Sequence, residues 1–575
     1  MAIYVSKRKS RPSKKTQPKE VCFCFTFLLK VLLRIPAVIF LSVLIFLWAS
    51  SSIITSANGV HVCISSRKLN NLYCLSAGTR PNFEVPIAVP NNSSTSPDTK
   101  ITNTKEIDVS SSDGVGSVKD NTDVSPDNTV NDNIKGIEKV VRENPQYIVM
   151  DEIIKGKYDE EIAIANKVVE DQMRLHRSWK SNRSLTACEG RGLYVYDLPS
   201  KFNKDLIGQC GDMIPWADFC KYFTNEGLGE PLSTEFGKGW YNTHQYLLEP
   251  IFHAKILKHP CRVYNENEAK LFYVPYYGGL DILRWHFQNV SNDVKDILAL
   301  ELIKWLEPRK TWIQNSGKDH VFVLGKVSWD FRRRIDSPWG TRLLHLEQMQ
   351  NPIKLLLERQ PWEVNEIGIP HPTFFHPDSD DDIVSWQLKV IRAARNSLVS
   401  FAGAARPYQP ESIRTILIDQ CTSASDKCQF LNCSSGGCGR PEKVLELFVG
   451  SEFCLQPPGD SPTRKSVFDS LISGCIPVLF DPFTAYYQYP WHLPEDHGRY
   501  SIHIDQEEVR HRKVNVTERL MNVSVKERDD MRRYIVFELL PGLVYGDLNS
   551  QLEKFKDAFS ITVNNLLERV NILRM

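Results

Sequence analysis

The sequence predicts an α/β protein with two doubly wound, Rossmann-like domains behind an N-terminal membrane anchor and a stem. Three observations lead there. From Cys188 to the C-terminus, short apolar strands alternate with longer helical patterns, the mark of parallel sheets joined by crossover helices. That stretch is too long for one core and suits two. Ahead of it the chain first runs apolar without charge, then turns polar and poor in aromatics.

Of 575 residues, 42% are hydrophobic and 10% aromatic, which excludes a mainly disordered chain. Lys+Arg and Asp+Glu number 70 and 69, a balance that gives no support to nucleic-acid binding. The balance hides a segregation. Residues 1–34 carry nine basic residues against Glu20, a net +8, so the remainder carries −7. This basic flank leads into 35–57, 23 residues without a charge, enough to cross a bilayer as one helix. The Lys/Arg excess before the segment places its N-terminal side in the cytosol and the rest in a lumen. A cleaved signal peptide is the rival, but its apolar core should be only about 7–15 residues. Cys22 and Cys24 fall at the anchor. The other twelve cysteines lie beyond it, an even number suited to disulfides. Seven Asn-x-Ser/Thr sequons also lie beyond it: Asn91, Asn92, Asn182, Asn289, Asn432, Asn515 and Asn522.

Residues 58–185 read as a stem. Between 86 and 134 the chain is rich in Ser, Thr, Asn, Asp and Pro and cannot bury a core. From Ile137 to Trp179 the apolar spacing turns helical, suited to packing on the domain or to self-association. Residues 186–395 form the first α/β domain and 396–575 the second, closed by C-terminal helices. Strands are expected at Gly192–Leu198, Ala269–Pro275, His320–Leu324, Leu398–Ala402, Arg414–Ile418, Phe453–Leu455 and Pro477–Phe480. Helices are expected at Asn242–His259, Asn292–Glu307 and Ser385–Ala394. In such folds a ligand cleft opens at the carboxyl ends of the strands.

The most informative run is Phe453–Phe480: a strand to Gln456, a Pro/Gly turn, a Ser/Thr-rich loop, a helix, and a second strand. A polar loop that opens a helix offers free backbone N–H groups and a positive dipole end, suited to a diphosphate. Ser461, Thr463, Arg464 and Lys465 are donor candidates there, Arg464 with bidentate geometry. Asp469, one turn on, could accept from ribose hydroxyls. An ordinary strand–loop–helix with a surface arginine would look the same.

This run resembles the donor-binding region of the exostosin-like glycosyltransferases of family 47, nearest the plant xyloglucan galactosyltransferases. The likeness extends over the lumenal part: GRGLYVYDLPSKFN from Gly190, WYNTHQYLLEPIFH from Trp240, LFYVPYYGGLDILRW from Leu271, GKVSWDFRR from Gly325, GIPHPTFFHP from Gly368 and YYQYPWHLPEDHGRYSIHI from Tyr486. The resemblance implies the GT-B architecture of two facing Rossmann-like domains, a type II Golgi membrane protein, and inversion at the transferred sugar. It also implies a C-terminal domain for the UDP-sugar and an N-terminal one for the glycan. The expected partners are UDP-galactose, a xyloglucan acceptor, the Golgi membrane and complexes with other glycosyltransferases. No cofactor or essential metal is expected.

Inverting transfer needs a general base for the acceptor hydroxyl and positive charge or N–H donors for the departing UDP. Asp281, after a strand and the Gly278–Gly279 turn, is the first candidate base, with helix capping as its plainer role. His244, on an expected helix, is the second. Asp330 pairs with Arg332 or Arg333 in this reading, and those arginines are further phosphate candidates. Trp240, Tyr241, Tyr276, Tyr277 and Trp285 are candidates for stacking on the acceptor, and Trp491 and His492 lie near the donor. Taken singly, each is more often a core residue.

Two metal-like patterns have simpler explanations. Asp378-Ser379-Asp380 precedes an amphipathic segment and reads as the acidic start of a helix. Cys421, Cys428, Cys433 and Cys438 lack paired zinc spacing and read as disulfides. The leading expectation is galactosyl transfer from UDP-galactose to xylosyl side chains of xyloglucan. Transfer of another sugar, such as galacturonic acid, and a non-catalytic scaffold are the rivals.

Overall fold

A computed structural model describes residues 60–65, 72–77 and 145–574, apart from 182–187, 189, 216, 336, 407 and 435. The anchor, most of the stem, Cys22, Cys24, Asn91, Asn92 and Asn182 lie outside the described residues, as do the side chains of Cys63 and Cys74. Among the described residues no helix is long and apolar enough to cross a membrane. Two strands, β1 (Val60–Ser65) and β2 (Leu72–Ala77), form a small sheet of their own.

The remainder holds two sheets, each parallel throughout. The first contains β3 (Gly192–Val195), β4 (Arg262–Val263), β5 (Ala269–Val274), β6 (His320–Val327), β7 (Ile353–Glu358) and β8 (Glu366–Gly368), in the order β4-β3-β5-β6-β7-β8. The second contains β9 (Ser397–Gly403), β10 (Cys428–Asn432), β11 (Ser451–Gln456), β12 (Ile476–Leu479) and β13 (Ile502–His503), in the order β10-β9-β11-β12-β13. Both are doubly wound, with the strand order reversing between the first and third strands of each sheet. Their central strands are buried on both faces, Ile353–Glu358 at every position, which is why they read as continuous apolar runs.

Most expected elements are present within a few residues. Arg414–Ile418 is not a strand: it lies in the helix Ile413–Ser423, capped by Ser412, whose side chain accepts from the Thr415 N–H. Ile413, Ile416, Leu417 and Cys421 fill its buried face, a helical spacing that a short β-branched run conceals. The expected helix from Asn242 starts only at Leu248. Backbone N–H groups of Tyr241 and Asn242 donate instead to Phe374 and Glu230 carbonyls, which holds the preceding segment, His244 included, as a loop.

The stem helix spans Pro145–Ser178, and its C-terminal half buries Ile162, Val169, Met173 and His176, the last two against Arg359 of the first domain. There the Arg359 guanidinium donates to His176 Nδ1 (2.8 Å), and Trp491 Nε1 to the His176 carbonyl (2.9 Å). His492 is buried between the Gly542 carbonyl and the Thr562 hydroxyl. The chain crosses back at its end. Helix Ala558–Arg574 follows the second sheet but buries Phe559, Val563, Leu566 and Val570 in the first core. A third cluster, with Trp240, Phe375, Trp386, Ile472 and Val536, joins the two parts.

Ten cysteines pair as Cys188–Cys261, Cys210–Cys220, Cys421–Cys428, Cys433–Cys438 and Cys454–Cys475. The four clustered cysteines thus form two local disulfides. Ser379 caps helix Asp380–Arg392 in a capping box with Asp382, while Asp380 accepts from the N–H groups of Glu553, Lys554 and Phe555. The acidic run is therefore a helix start that also fastens the C-terminal segment. The described sequons, Asn289, Asn432, Asn515 and Asn522, are exposed.

Candidate active site

The carboxyl ends of the two sheets meet. Glu358, the last residue of β7 in the first sheet, accepts from the N–H (2.9 Å) and hydroxyl (2.6 Å) of Thr463, in the loop after β11 of the second. The Ser461 side chain is a further hydrogen-bonding partner of Glu358. Burial pushes this carboxyl up to about 7, against the opposing effect of those donors. Nearby, Lys465 Nζ stands 3.2 Å from the centre of the Phe374 ring, and His371 packs against Phe468.

The loop Pro457–Arg464 follows β11 at the point where the strand order of the second sheet reverses, the usual ligand crevice of such a sheet. Helix Lys465–Ile472 opens there with no side-chain cap on its first turn. Three arginines gather beside it. Arg414 Nε donates to the Pro458 carbonyl (3.2 Å), and Arg406 pairs with Asp460 (2.6 Å). A Cβ on Gly459 would lie 2.1 Å from Arg464 Nη1 and 2.7 Å from Arg414 Nη2, so both guanidinium groups pack against this glycine and would have to shift for a side chain there. Burial and Arg406 push Arg414 down to about 10. Bringing three cations together at a helix start creates a demand for anionic charge.

The expected donor residues divide. Arg464 faces the loop, and among the described residues no protein acceptor holds its guanidinium. Ser461 and Thr463 are turned toward Glu358. Lys465 pairs with Asp469 at 2.7 and 2.8 Å, and burial shifts Lys465 down and Asp469 up, each opposed by the other. Arg332 and Arg333 lie in the first domain, ion-paired with Glu366 and Asp296 respectively. Asp330 pairs with neither: it meets Lys326 at 3.3 Å and accepts from Trp339 Nε1 at 2.6 Å.

The first domain has the equivalent junction, where β5 leads into helix Gly278–Trp285. Its N-terminus is filled. The buried Glu249 carboxyl accepts from the N–H groups of Gly279 (2.6 Å), Gly325 (2.9 Å) and Leu280 (3.4 Å), and burial pushes it up to about 8. Gly279 has no room for a side chain, since a Cβ would come within 3.0 Å of Glu249 Oε1 and 3.1 Å of Lys326 Cγ. Asp281 is wholly buried one turn on. Its Oδ2 accepts from the Tyr276 hydroxyl (2.6 Å) and its Oδ1 from Arg284 Nε (2.9 Å). Both oxygens therefore already have partners inside the first core.

His244 stands between the domains, where burial, and after it the charges of Lys465 and Lys326, push it down to about 3. The ring is neutral and held edge-on to Phe219. Its Nδ1 accepts a long bond from the Tyr246 N–H, 3.3 Å. His371 is the other imidazole beside Lys465, also pushed down to about 3 by burial and that lysine, and its Nδ1 has no partner among the described residues.

Three of the five expected stacking residues are interior, and a fourth, Tyr241, is half-buried. Trp240 packs on Phe375 and Trp386, the Tyr241 hydroxyl donates to Asp547, and Tyr276 and Tyr277 are buried against Asp281 and His253. Trp285 lines a small surface cavity of about 20 Å³ with His286, Lys295 and Trp339. Glu249, Glu358, Arg406, Arg414 and His371 were not read as site residues from the sequence. Their placement depends on strand ends remote in sequence, and only the Gly459 turn hinted that side chains crowd the loop.

The exostosin GT47 domain model matches residues 187–520. Over 99% of this chain and 96% of its own length, the "Xyloglucan-specific galacturonosyltransferase 1" of Arabidopsis thaliana is 50% identical. The "Probable xyloglucan galactosyltransferase GT20" of the same plant is also 50% identical, over 99% of both chains. The "Xyloglucan galactosyltransferase MUR3" is 42% identical over 67% of this chain and 63% of its own. Among solved structures, the "GtfA/B complex" overlaps 48% of this chain and 61% of that one, at a TM-score of 0.25 and 8% identity.

Proposed function

This chain belongs to the exostosin GT47 family and is a glycosyltransferase, and from that premise we propose that it transfers galactose from UDP-galactose to xylosyl side chains of xyloglucan, with inversion. The observation that carries the reading is the uncapped helix Lys465–Ile472 with Arg406, Arg414 and Arg464 around its loop. The diphosphate sits there, where N–H groups and guanidinium charge stabilise the UDP that departs.

His244 is the general base in this proposal, in place of Asp281. Of the two cleft imidazoles, it is less buried than His371 and so more open to an acceptor hydroxyl. Nδ1 carries the lone pair, and the acceptor hydroxyl displaces the long bond from Tyr246. As the acceptor oxygen attacks the anomeric carbon, the bond from that carbon to UDP breaks and the hydroxyl proton passes to His244. The diphosphate arriving beside Lys465 offsets a cation that depresses the imidazole, so the base strengthens once the donor is bound. Trp285 and its neighbours offer a stacking surface for the glycan chain. Charge on the leaving group is met by arginines here, and turnover is expected to survive a chelator. The chain sits in the Golgi membrane as a type II protein with this site in the lumen, and its sequons are glycosylated.

The relatives' names include both galactosyl and galacturonosyl donors, so galacturonic acid is the second reading. The test is a donor screen of the purified enzyme on xyloglucan oligosaccharides, with linkage analysis of the product. Galactose in β-linkage to xylose is expected. A uronic acid product would replace the donor, and no UDP binding at all would favour a scaffold.

A further inference from the structure

We propose that Glu358 is a positioning residue that holds the diphosphate loop in its binding shape from across the domain boundary. The proposal rests on the reading that Pro457–Arg464 receives the UDP-sugar. Glu358 ends β7 of the first sheet, whereas the loop it serves follows β11 of the second. One carboxylate oxygen takes both the N–H and the hydroxyl of Thr463, at 2.9 and 2.6 Å, and Ser461 is bonded to the same group. The residue is 3% exposed and Thr463 7%, so no water replaces these bonds if the carboxyl is lost.

The geometry has a direct consequence for the loop. Thr463 immediately precedes Arg464, the residue that opens the helix. Its N–H lies one residue before that of Arg464, the N-cap of the helix. With that N–H and the hydroxyl turned to Glu358, the loop cannot fold its own polar groups over the helix start. The Arg464 guanidinium lies against Gly459 in the same loop. Glu358 makes no contact with the donor in this arrangement; it fixes the residues that do. Because it belongs to the acceptor-side domain, the donor loop is formed only while the two domains are engaged. Tyr489, whose hydroxyl donates to the neighbouring Leu357 carbonyl (2.9 Å), buttresses the same strand end from the second domain.

The test compares Glu358→Ala, Glu358→Gln and Thr463→Val with the parent enzyme, reading UDP affinity by calorimetry, KM for donor and acceptor, and thermal midpoint. Glu358→Ala should weaken UDP binding and raise donor KM by about 10–100-fold, the worth of one or two charged hydrogen bonds, with acceptor KM little changed. Glu358→Gln keeps an acceptor oxygen for Thr463 and should return to within about threefold of the parent. Thr463→Val, which loses only the hydroxyl, should fall between them. Combined with Glu358→Ala it should add nothing further, since both remove one interaction. If Glu358→Ala does not fold, Thr463→Val and Glu358→Gln still decide. Normal UDP affinity in a folded Thr463→Val protein, or no rescue by glutamine relative to alanine, overturns the proposal. Failure of the parent itself to bind UDP would instead defeat the reading of the loop.

Discussion

The two domains present the same junction, third strand to loop to helix at the place where the strand order reverses, and finish it in opposite ways. In the first, the N-terminus of helix Gly278–Trp285 is closed by the Glu249 carboxyl, which takes three N–H groups from two segments. In the second, helix Lys465–Ile472 has no side-chain cap, and three arginines stand over its loop. A helix start attracts an anion by geometry and dipole. Where the protein supplies that anion itself the helix start is filled, and where it supplies cations instead the helix start suits an anionic ligand. Both places carry glycine at the turn, Gly278-Gly279 in the first and Gly459 in the second, so the turn alone does not separate them; the partner of the helix start does.

The largest effect should come from the group placed between the junctions. His244→Ala is expected to lower turnover by about 10²–10⁴-fold while leaving UDP affinity intact. His371→Ala should cost much less. The reverse order would move the base to His371 and leave the comparison of the two helix starts standing.

The next effect separates binding from stability. Glu249→Ala strands the N–H groups of Gly279, Leu280 and Gly325 in the first core and should cost on the order of 3 kcal/mol or more of stability. In the fraction that folds, UDP affinity should be unchanged. A selective loss of UDP binding with normal stability would show that the first junction also serves the donor.

A smaller effect concerns pH. Seven histidines, His244, His253, His259, His371, His376, His492 and His503, are pushed down to about 3 or 4 by burial. Between those values and 6.5 the unfolded chain binds more protons at these sites, so stability falls as pH drops below 6.5. Glu249 and Glu358 are raised, to about 8 and about 7, so their contribution is full below 4.5 and is lost as pH rises through 7 to 8. The histidines outnumber the glutamates below 6.5 and no longer act above it. The thermal midpoint should therefore peak near pH 6.5 and decline on both sides, and Glu249→Gln should flatten the alkaline side alone. A midpoint that rises steadily to pH 8.5 would contradict this. The smallest expected change is in Asp469→Asn, which frees Lys465 toward the diphosphate and should alter UDP affinity by less than about tenfold, the effect of one exchanged ionic hydrogen bond.

Much of the second junction was legible in the sequence. A strand, a Pro-Pro-Gly turn, small hydroxyl residues and Arg464-Lys465 before an apolar helical pattern mark an anion loop by local chemistry. What local chemistry could not show is which polar groups are already used. Ser461 and Thr463 look like phosphate donors until β7 delivers Glu358 to them, 105 residues away from Thr463 in the chain. Asp281 looks like a base at a helix start because nothing nearby in the sequence announces Glu249 below it, although Arg284, three residues on, is a partner that helical spacing could have shown. The tyrosines of Tyr276-Tyr277 were indistinguishable from sugar platforms, yet the strand they follow is central and buries them. The C-terminal helix was assigned to the second domain by proximity in sequence, but its apolar face matches the first core, where Phe559 meets Phe252 with ring centres 4.9 Å apart.

The most direct test of the contrast is calorimetric titration of UDP into the parent enzyme, Arg464→Ala and Glu249→Gln. Arg464→Ala should weaken binding by about 10–100-fold, the loss of one or two charge-assisted hydrogen bonds, while Glu249→Gln binds within about twofold of the parent. Unchanged affinity in Arg464→Ala, with a loss in Glu249→Gln, would place the donor at the first junction and contradict the account.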